Sequence, residues 1–317
     1  MRFSVFVFCS LLLTQTTACS SNKHVYKMNE GDILKTLASG ADVVVENKSI
    51  DGDIDFSRIE NATPESPVVY RHYISGAVVF VNCDFKGTVT AFRADKERTD
   101  LVTFMKNITF LNCRFKDTVN LREITAYGKV NFSGTTFEKM ASFEGSNFLS
   151  DVNFTKAQFD DEARFLNCNF QQHLVFMEGG FDKLLSFQGS TFQMDAQFSS
   201  SHFRGYSDFS ITQFNSHGFF NYAEFNSQSI FNNSYFRGRM EWMSVKFKDN
   251  AEFKRTTFFG QTRFNNSKSS GNLNFENSVF LGRKPEFNAF EKGEKFQFLG
   301  NNAMLPGNVP FQESDLK

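Results

Sequence analysis

The chain is poor in proline, in tryptophan and in unbalanced charge. Its 317 residues include five Pro and one Trp, and 34 Lys plus Arg against 35 Asp plus Glu give a net charge of -1. A polyanion-binding protein usually has a basic excess, and an acidic mimic of nucleic acid has a large negative charge. The balance argues against both classes, so we expect no nucleic-acid partner. After the N-terminal residues, no segment is apolar for long enough to cross a membrane.

Catalytic and metal-binding motifs are also lacking. The sequence has no Gly-rich phosphate loop, no serine elbow and no CxxC pair. An acidic corner at residues 160–162 is far more typical of a solvated turn than of an acid/base pair. The five histidines are scattered without metal-ligand spacing: His24, His72, His173, His202 and His217. We therefore predict no catalytic residue, no metal site and no cofactor.

The N-terminus predicts export. One Arg precedes an apolar run at residues 3–13 that is too short to span a bilayer, so we assign residues 1–18 to a signal peptide and 19–28 to a polar tether. Residues 16–19, TTAC, resemble a bacterial lipobox, although Thr16 stands where that family usually has Leu. The resemblance implies that Cys19 carries a lipid and anchors the protein to a membrane. It also favours the outer membrane if the source is Gram-negative. Ordinary cleavage after Ala18 is the alternative.

Three other cysteines share one context. Cys83, Cys113 and Cys168 occur in FVNCDF, FLNCRF and FLNCNF, each two residues before a Phe. Free Cys behaves as a small apolar residue, and we expect that role here. We also expect the repeat to place the three on different faces.

The segments that flank the repeat have their own patterns. Asn29 can cap a short helix that ends near Gly40, so residues 29–48 are predicted to form an N-terminal cap. The repeat is assigned to residues 49–285, and residues 93–101 interrupt it with a charged loop. The pattern then decays, and residues 286–317 are assigned to a C-terminal cap and tail.

Phenylalanine is the residue in excess, with 43 copies, and from Phe132 onward most of them follow one another at steps that alternate between five and six. In a helix, positions five apart differ by about 140°, so the two Phe of each unit would face nearly opposite ways. In a strand, positions i-2 and i share a face. Most aromatics follow a small or aliphatic residue by two positions, as in Ala141 and Phe143. Each unit is therefore a short strand facing inward, and the polar residues between units turn corners.

Units such as ASFEG, SNFLS, ARFLN, CNFQQ and AEFNS resemble the pentapeptide-repeat family over about two-thirds of the chain. The resemblance implies an all-β fold, a right-handed quadrilateral parallel β-helix with four units per coil. Every second unit carries one extra residue, so we expect a coil of about 22 residues. Such a coil predicts one stacked core column, made of Phe132, Phe154, Phe176, Phe198, Phe220, Trp242 and Phe264.

Residues beside the inward aromatics are mostly polar, but one face has apolar exceptions. These candidate partner residues are Val175, Met177, Phe219, Tyr222 and Met243. Grouped exposed apolar residues suggest a partner site, although isolated ones are ordinary on protein surfaces. The sequence thus favours a non-enzymatic, exported scaffold that binds an unidentified protein or envelope polymer. A carbohydrate-active parallel β-helix enzyme is the alternative.

Overall fold

The computed structural model describes residues 29–317, and over these residues the chain winds into a parallel β-helix with four sheets. We number the sheets I to IV in the order in which each coil visits them. Most strands pair with the strand about 22 residues earlier and the strand about 22 residues later, as Val130 pairs with Ile108 and with Val152. The predicted fold class and coil length are confirmed.

The strands are two residues long in most coils. Sheet I contains Val43–Glu46, Val78–Val81, Ile108–Leu111, Val130–Asn131, Val152–Asn153, Leu174–Val175, Ala196–Gln197, Gly218–Phe219, Met240–Glu241 and Thr262–Arg263. Sheet II contains Ser49–Ile50, Asp84–Phe85, Arg114–Phe115, Thr136–Phe137, Gln158–Phe159, Gly180–Phe181, His202–Phe203, Glu224–Phe225, Lys246–Phe247, Lys268–Ser269 and Glu291–Lys292.

Sheets III and IV complete each coil. Sheet III contains Ile54–Asp55, Val89–Thr90, Val119–Asn120, Ala141–Ser142, Ala163–Arg164, Leu185–Ser186, Ser207–Asp208, Ser229–Ile230, Ala251–Glu252, Leu273–Asn274 and Phe298–Leu299. Sheet IV contains Thr63–Pro64, Val69–Ile74, Arg93–Ala94, Thr99–Phe104, Thr125–Ala126, Asn147–Phe148, Asn169–Phe170, Thr191–Phe192, Gln213–Phe214, Tyr235–Phe236, Thr257–Phe258, Val279–Phe280, Met304–Leu305 and Val309–Pro310.

Stacked aromatic rings fill the interior. The Phe198 ring lies between those of Phe176 and Phe220, with centroids 5.7 and 4.8 Å apart. Trp242 continues the column 5.7 Å beyond Phe220, and every residue of the predicted column is buried. Each of the four sheets contributes such a column, so the core is a bundle of aromatic stacks running along the coil axis.

Buried hydroxyl groups bind one coil to the next. Ser234 Oγ donates to the carbonyl oxygen of Phe209 at 2.9 Å and accepts the backbone N–H of Thr212 at 3.0 Å. The same two contacts recur at Ser146, and at Ser201 with its counterparts Phe176 and Gly179. These side chains satisfy backbone groups at corners where the strands are too short to pair them.

The cysteines occupy positions of this hydroxyl ladder. Cys113 Sγ lies 3.5 Å from the carbonyl oxygen of Phe80, and Cys168 Sγ lies 3.0 Å from that of Phe143. All three are free and buried. The expectation that they lie on different faces is wrong for one pair. Cys83 and Cys113 precede Asp84 and Arg114, which pair in sheet II, so the two thiols are in contact across successive coils.

The N-terminal end is capped by a helix, Glu30–Ala38, that begins after Asn29 as predicted. The Asn29 side chain accepts the N–H of Asp32 at 2.8 Å, and Ile33 and Leu37 are buried against the first coil. A 3-10 turn follows at Phe56–Arg58. The charged loop predicted at residues 93–101 is shorter than expected, because Arg93–Ala94 and Thr99–Phe104 are antiparallel strands of sheet IV and residues 95–98 join them.

The C-terminal end closes with a partial coil and a final segment. Phe311 and Leu316 are buried, and a 3-10 turn at Glu313–Asp315 precedes the last residues. Lys284 pairs with Asp315 at 2.7 Å. Val43–Glu46, within the predicted N-terminal cap, is the first strand of sheet I. The boundaries assigned to cap, repeat and tail stay predictions, and the signal peptide, Cys19 and the tether lie outside the described residues.

Candidate partner surface

The outer face of sheet I carries two of the predicted partner residues. Val175, Gln197, Phe219, Glu241 and Arg263 lie in register on successive coils, with side chains pointing away from the core. Val175 and Phe219 are therefore two coils apart, about 10 Å at the usual strand spacing. The predicted residues thus form two smaller groups along one face.

The corner that follows sheet I carries the other three. Tyr222 is 64% exposed and Met177 is 39% exposed, while Met243 is half-buried. Tyr222 N–H donates to the carbonyl oxygen of Met243 at 2.9 Å, which joins their two coils. Phe219, Tyr222 and Met243 form one group, and Val175 and Met177 form the other.

Tyr222 is an unusual residue type for its backbone conformation. Its φ is +61°, in the left-handed region that bulky side chains rarely adopt. The equivalent corner positions in other coils are mainly small or polar: Asn82, Asn112, Gly134, Lys156, Glu178, Ser200, Ser244 and Asn266. Such a conformation costs on the order of 1 kcal/mol for a tyrosine, and the exposed ring contributes little to the core.

A charge cluster adjoins the first group. Glu241 is nearly buried and accepts a hydrogen bond from Asn221 Nδ2 at 2.9 Å. Arg239 Nε and Arg263 Nη1 lie 3.1 and 3.5 Å from Glu241 Oε1. Arg239 also lies over the Phe219 ring, 5.7 Å from its centroid. The face is therefore a mixed surface in which an aromatic ring lies beside one guanidinium group, and a second guanidinium group pairs with the same glutamate.

The cluster continues into the next coil through Glu286. Arg263 Nε lies 3.4 Å from Glu286 Oε2. Burial alone raises the pKa of Glu286, but Asn265, Arg263 and Gln261 outweigh it and hold that pKa below its usual value. Glu241 and Arg263 are 22 residues apart, so the coil length alone makes them neighbours, but the sequence does not single out the rest of the cluster. Arg239 lies 22 residues before Gln261, so the coil spacing alone could have placed these two residues at equivalent positions of successive coils.

The second notable site lies near the N-terminal end, where a cleft of about 330 Å³ contains His72 and Asp100. Ser57 also lines the cleft, but its hydroxyl donates to Asp55. Both ring nitrogens of His72 are engaged, one with Ile59 O and one with Asp100 Oδ1. The histidine is therefore not placed to activate the serine. Within residues 29–317, no cluster of three or more His, Cys, Asp or Glu is arranged to hold a metal ion.

Fold and surface together define a repeat protein with a parallel β-helix. Residues 110–157 and 127–169 match the family model described as Pentapeptide repeats (9 copies). The chain thus contains pentapeptide repeats in a Phe-rich form. No curated protein and no solved structure matches it. None of the helices in residues 29–317 is long and apolar enough to cross a membrane.

Proposed function

We propose that the protein is a non-enzymatic, exported scaffold that presents the outer face of sheet I to a protein or polymer of the cell envelope. The observation that carries this proposal is Tyr222, an exposed aromatic side chain on a strained backbone. A strained, exposed residue that adds little to the core is most simply retained for what it contacts outside the protein. Aromatic and Arg side chains are the residue types most enriched at protein interfaces.

The rest of the surface supports a binding role. Phe219 and Met243 extend the apolar contact, and Arg239 and Arg263 supply charged donors at its rim. The aromatic stacks beneath the sheet hold these residues at fixed spacings, so little ordering of the surface is needed on binding. The lipid on Cys19 is the membrane attachment in this proposal. Nucleic acid is not an expected partner, because the chain is nearly neutral.

A matched pair of variants tests the surface. Ile211 is also exposed, at 53%, and also has a left-handed φ of +60°, but it lies at the corner between sheets III and IV. Tyr222→Asn and Ile211→Asn should each raise the free energy of unfolding by about 1 kcal/mol, because Asn tolerates this conformation. Capture from envelope extracts should retain the same partner with wild type and Ile211→Asn and lose it with Tyr222→Asn. Equal retention by both variants would contradict the proposal.

Two further experiments test the remaining parts. Metabolic labelling with a fatty-acid analogue should tag the wild type and miss Cys19→Ser, and equal labelling of both would remove the lipid anchor. Hydrolysis and elimination assays on an oligosaccharide panel should show no turnover. Robust turnover would instead support a carbohydrate-active enzyme.

A further inference from the structure

The cleft near the N-terminal end is a separate feature from the partner surface. The sheet I strand next to the cleft, Val78–Val81, lies six strands before Gly218–Phe219. The cleft and Phe219 are therefore roughly 30 Å apart along the coil axis at the usual strand spacing. The segment after the Phe56–Arg58 turn forms one wall, and the antiparallel pair Arg93–Ala94 and Thr99–Phe104 forms another. The lining side chains include Arg58, Glu60, His72, Arg93, Arg98 and Asp100.

A buried ion network forms the floor of the cleft. His72 and Asp100 are 3% and 2% exposed. His72 Nδ1 lies 2.7 Å from the carbonyl oxygen of Ile59, and Nε2 lies 2.9 Å from Asp100 Oδ1. Both partners offer acceptor oxygens, so the two contacts fix the orientation of the His72 ring. Burial alone raises the pKa of Asp100, but hydrogen bonds from Arg98 and His72 outweigh it and hold that pKa below its usual value.

The network fixes one guanidinium group at the cleft. Arg98 Nε lies 2.8 and 2.9 Å from the two carboxylate oxygens of Asp100, and its Nη2 lies 2.7 Å from Oδ1. The guanidinium plane also lies 4.0 Å from the Tyr70 ring centroid. One edge of the group is thus used by Asp100, and within residues 29–317 no acceptor contacts its Nη1.

Two more arginines have the same kind of free edge. Arg58 contacts Asp55 through Nε at 2.9 Å, and Arg93 contacts Asp95 through Nη2 at 3.2 Å. Across the part of the chain that the structure describes, neither Arg58 Nη1 nor Arg93 Nη1 has an acceptor. Asp55 and Asp95 are not among the residues that line the cleft. The cleft is thus lined by three guanidinium groups and two carboxylates, those of Asp100 and Glu60.

We propose that this cleft binds a small organic anion through a carboxylate or phosphate group, held by Arg58, Arg93 and Arg98. A guanidinium group offers parallel N–H donors that match the oxygens of either anion. The volume is at the lower end of the usual range for small-molecule pockets. Glu60 lines the cleft as well, so the rest of the ligand should carry no further negative charge toward that residue. None of the residues that line the cleft belongs to the surface on sheet I, so this proposal is independent of the scaffold proposal.

Calorimetric titration of the full chain with inorganic phosphate and with citrate tests the site. At least one probe should bind saturably, and Arg58→Gln combined with Arg93→Gln should weaken it about tenfold or more, since both lose charge-assisted donors. Both side chains are more than half exposed, at 72% and 53%, so the fold should survive the change. Arg98→Gln is less informative because it also breaks the buried network.

Arg237→Gln is the matched control, an exposed arginine beside a late strand of sheet IV that hydrogen-bonds Asn215. Its affinity for the probe should equal that of the wild type. Binding of phosphate alone would assign the site to phosphate esters, and binding of citrate alone would assign it to carboxylates. The proposal is overturned if neither probe binds saturably. It is equally overturned if the double variant keeps wild-type affinity, or if Arg237→Gln weakens binding as much as the double variant does.

Discussion

The β-helix has a regular part, the coils from residue 108 to 281, and an irregular part, the N-terminal coils before them. The two parts differ in strand length and in strand pairing. In the later coils nearly every strand is two residues long and pairs in parallel with its neighbours. In the earlier coils Val69–Ile74 and Thr99–Phe104 are six residues long, and each also has an antiparallel partner. The regular part repeats one side-chain type along each core column, whereas the irregular part buries unlike polar side chains together.

This difference separates two sources of stability. A late coil is held by aromatic stacking and buried hydroxyl groups, and each of these contacts reaches only the adjacent coils. The early coils add a buried ion network that joins residues 28 positions apart, His72 and Asp100. The irregular early coils can bury such polar groups, whereas the core columns of the regular coils are filled by aromatic rings.

The largest expected effect falls in the regular part. Phe198→Ala removes a fully buried ring that stacks on Phe176 and Phe220, and it should lower the free energy of unfolding by about 3 to 5 kcal/mol. Gln197, the next residue back, points outward from sheet I, so Gln197→Ala should change stability by no more than about 0.5 kcal/mol. Chemical denaturation of the three proteins measures both values. Comparable losses in the two variants would remove the stacked column as the main source of stability.

The next largest effect tests the irregular part. Asp100→Asn removes the buried carboxylate that pairs with Arg98 and contacts His72, and it should cost about 3 kcal/mol near neutral pH. The folded pKa of Asp100 is lowered, so its stabilisation is present above the unfolded value of about 3.9 and is lost as pH falls through the folded value. Unfolding curves over this range should therefore show the gap between wild type and variant closing below about pH 4.

Asp95→Asn is the control for that experiment. Asp95 pairs with Arg93 at the surface, so its substitution should change stability by about 0.5 kcal/mol or less. Hydrogen exchange should report faster opening of the Thr99–Phe104 strand in Asp100→Asn only. A gap that stays constant from neutral to acidic pH would show that the Asp100 charge is not what stabilises the network.

The two parts also differ in how well the sequence predicts them. The Phe column and the coil length follow from spacing alone, because each position repeats and each repeat reinforces the same geometry. Cys83 and Cys113 are 30 residues apart rather than 22, since the early coils are longer, and a strict register therefore places them wrongly. The correct pairing depends on the extra residues that lie between Thr90 and Thr103 in the longer coil.

The candidate sites were predictable to different degrees for the same reason. Phe219 and Tyr222 could be placed on one face because they lie in regular coils. The floor of the cleft could not be predicted, because nothing in the spacing of His72 and Asp100 indicates that their two strands are neighbours in sheet IV. Arg98 stood in a segment whose composition suggested a solvated loop.

A smaller effect tests the hydroxyl ladder. Ser201 Oγ donates to the carbonyl oxygen of Phe176 and accepts the N–H of Gly179, and both groups are buried. Ser201→Ala should cost about 1 kcal/mol, a modest loss because Ala223 already occupies the equivalent position one coil later. Ser199→Ala, at a half-buried position outside the ladder, should change the free energy of unfolding by no more than about 0.5 kcal/mol. If Ser201→Ala is as stable as the wild type, the hydroxyl groups contribute nothing beyond filling space.

The smallest expected effect concerns a place where regularity is unfavourable. Glu138, Asp160 and Asp182 follow in-register strands of sheet II, so three carboxylates are stacked on successive coils. Arg114 pairs with Glu138, and Arg204 pairs with Asp182 at 2.6 Å. Asp160 stands between them, and burial together with the charges of Asp182 and Glu138 raises its pKa.

A carboxyl group whose folded pKa is raised destabilises the fold when it is ionised. The penalty is present above the folded pKa and vanishes as pH falls below the unfolded value of about 3.9. Asp160→Asn should therefore increase the free energy of unfolding by a few tenths of a kcal/mol near pH 7, because the group is largely solvated. Denaturant midpoints should show no such gain near pH 3, and Asp161→Asn should show none at either pH. A gain of equal size at both pH values would mean that packing, and not repulsion along the acidic column, sets the effect.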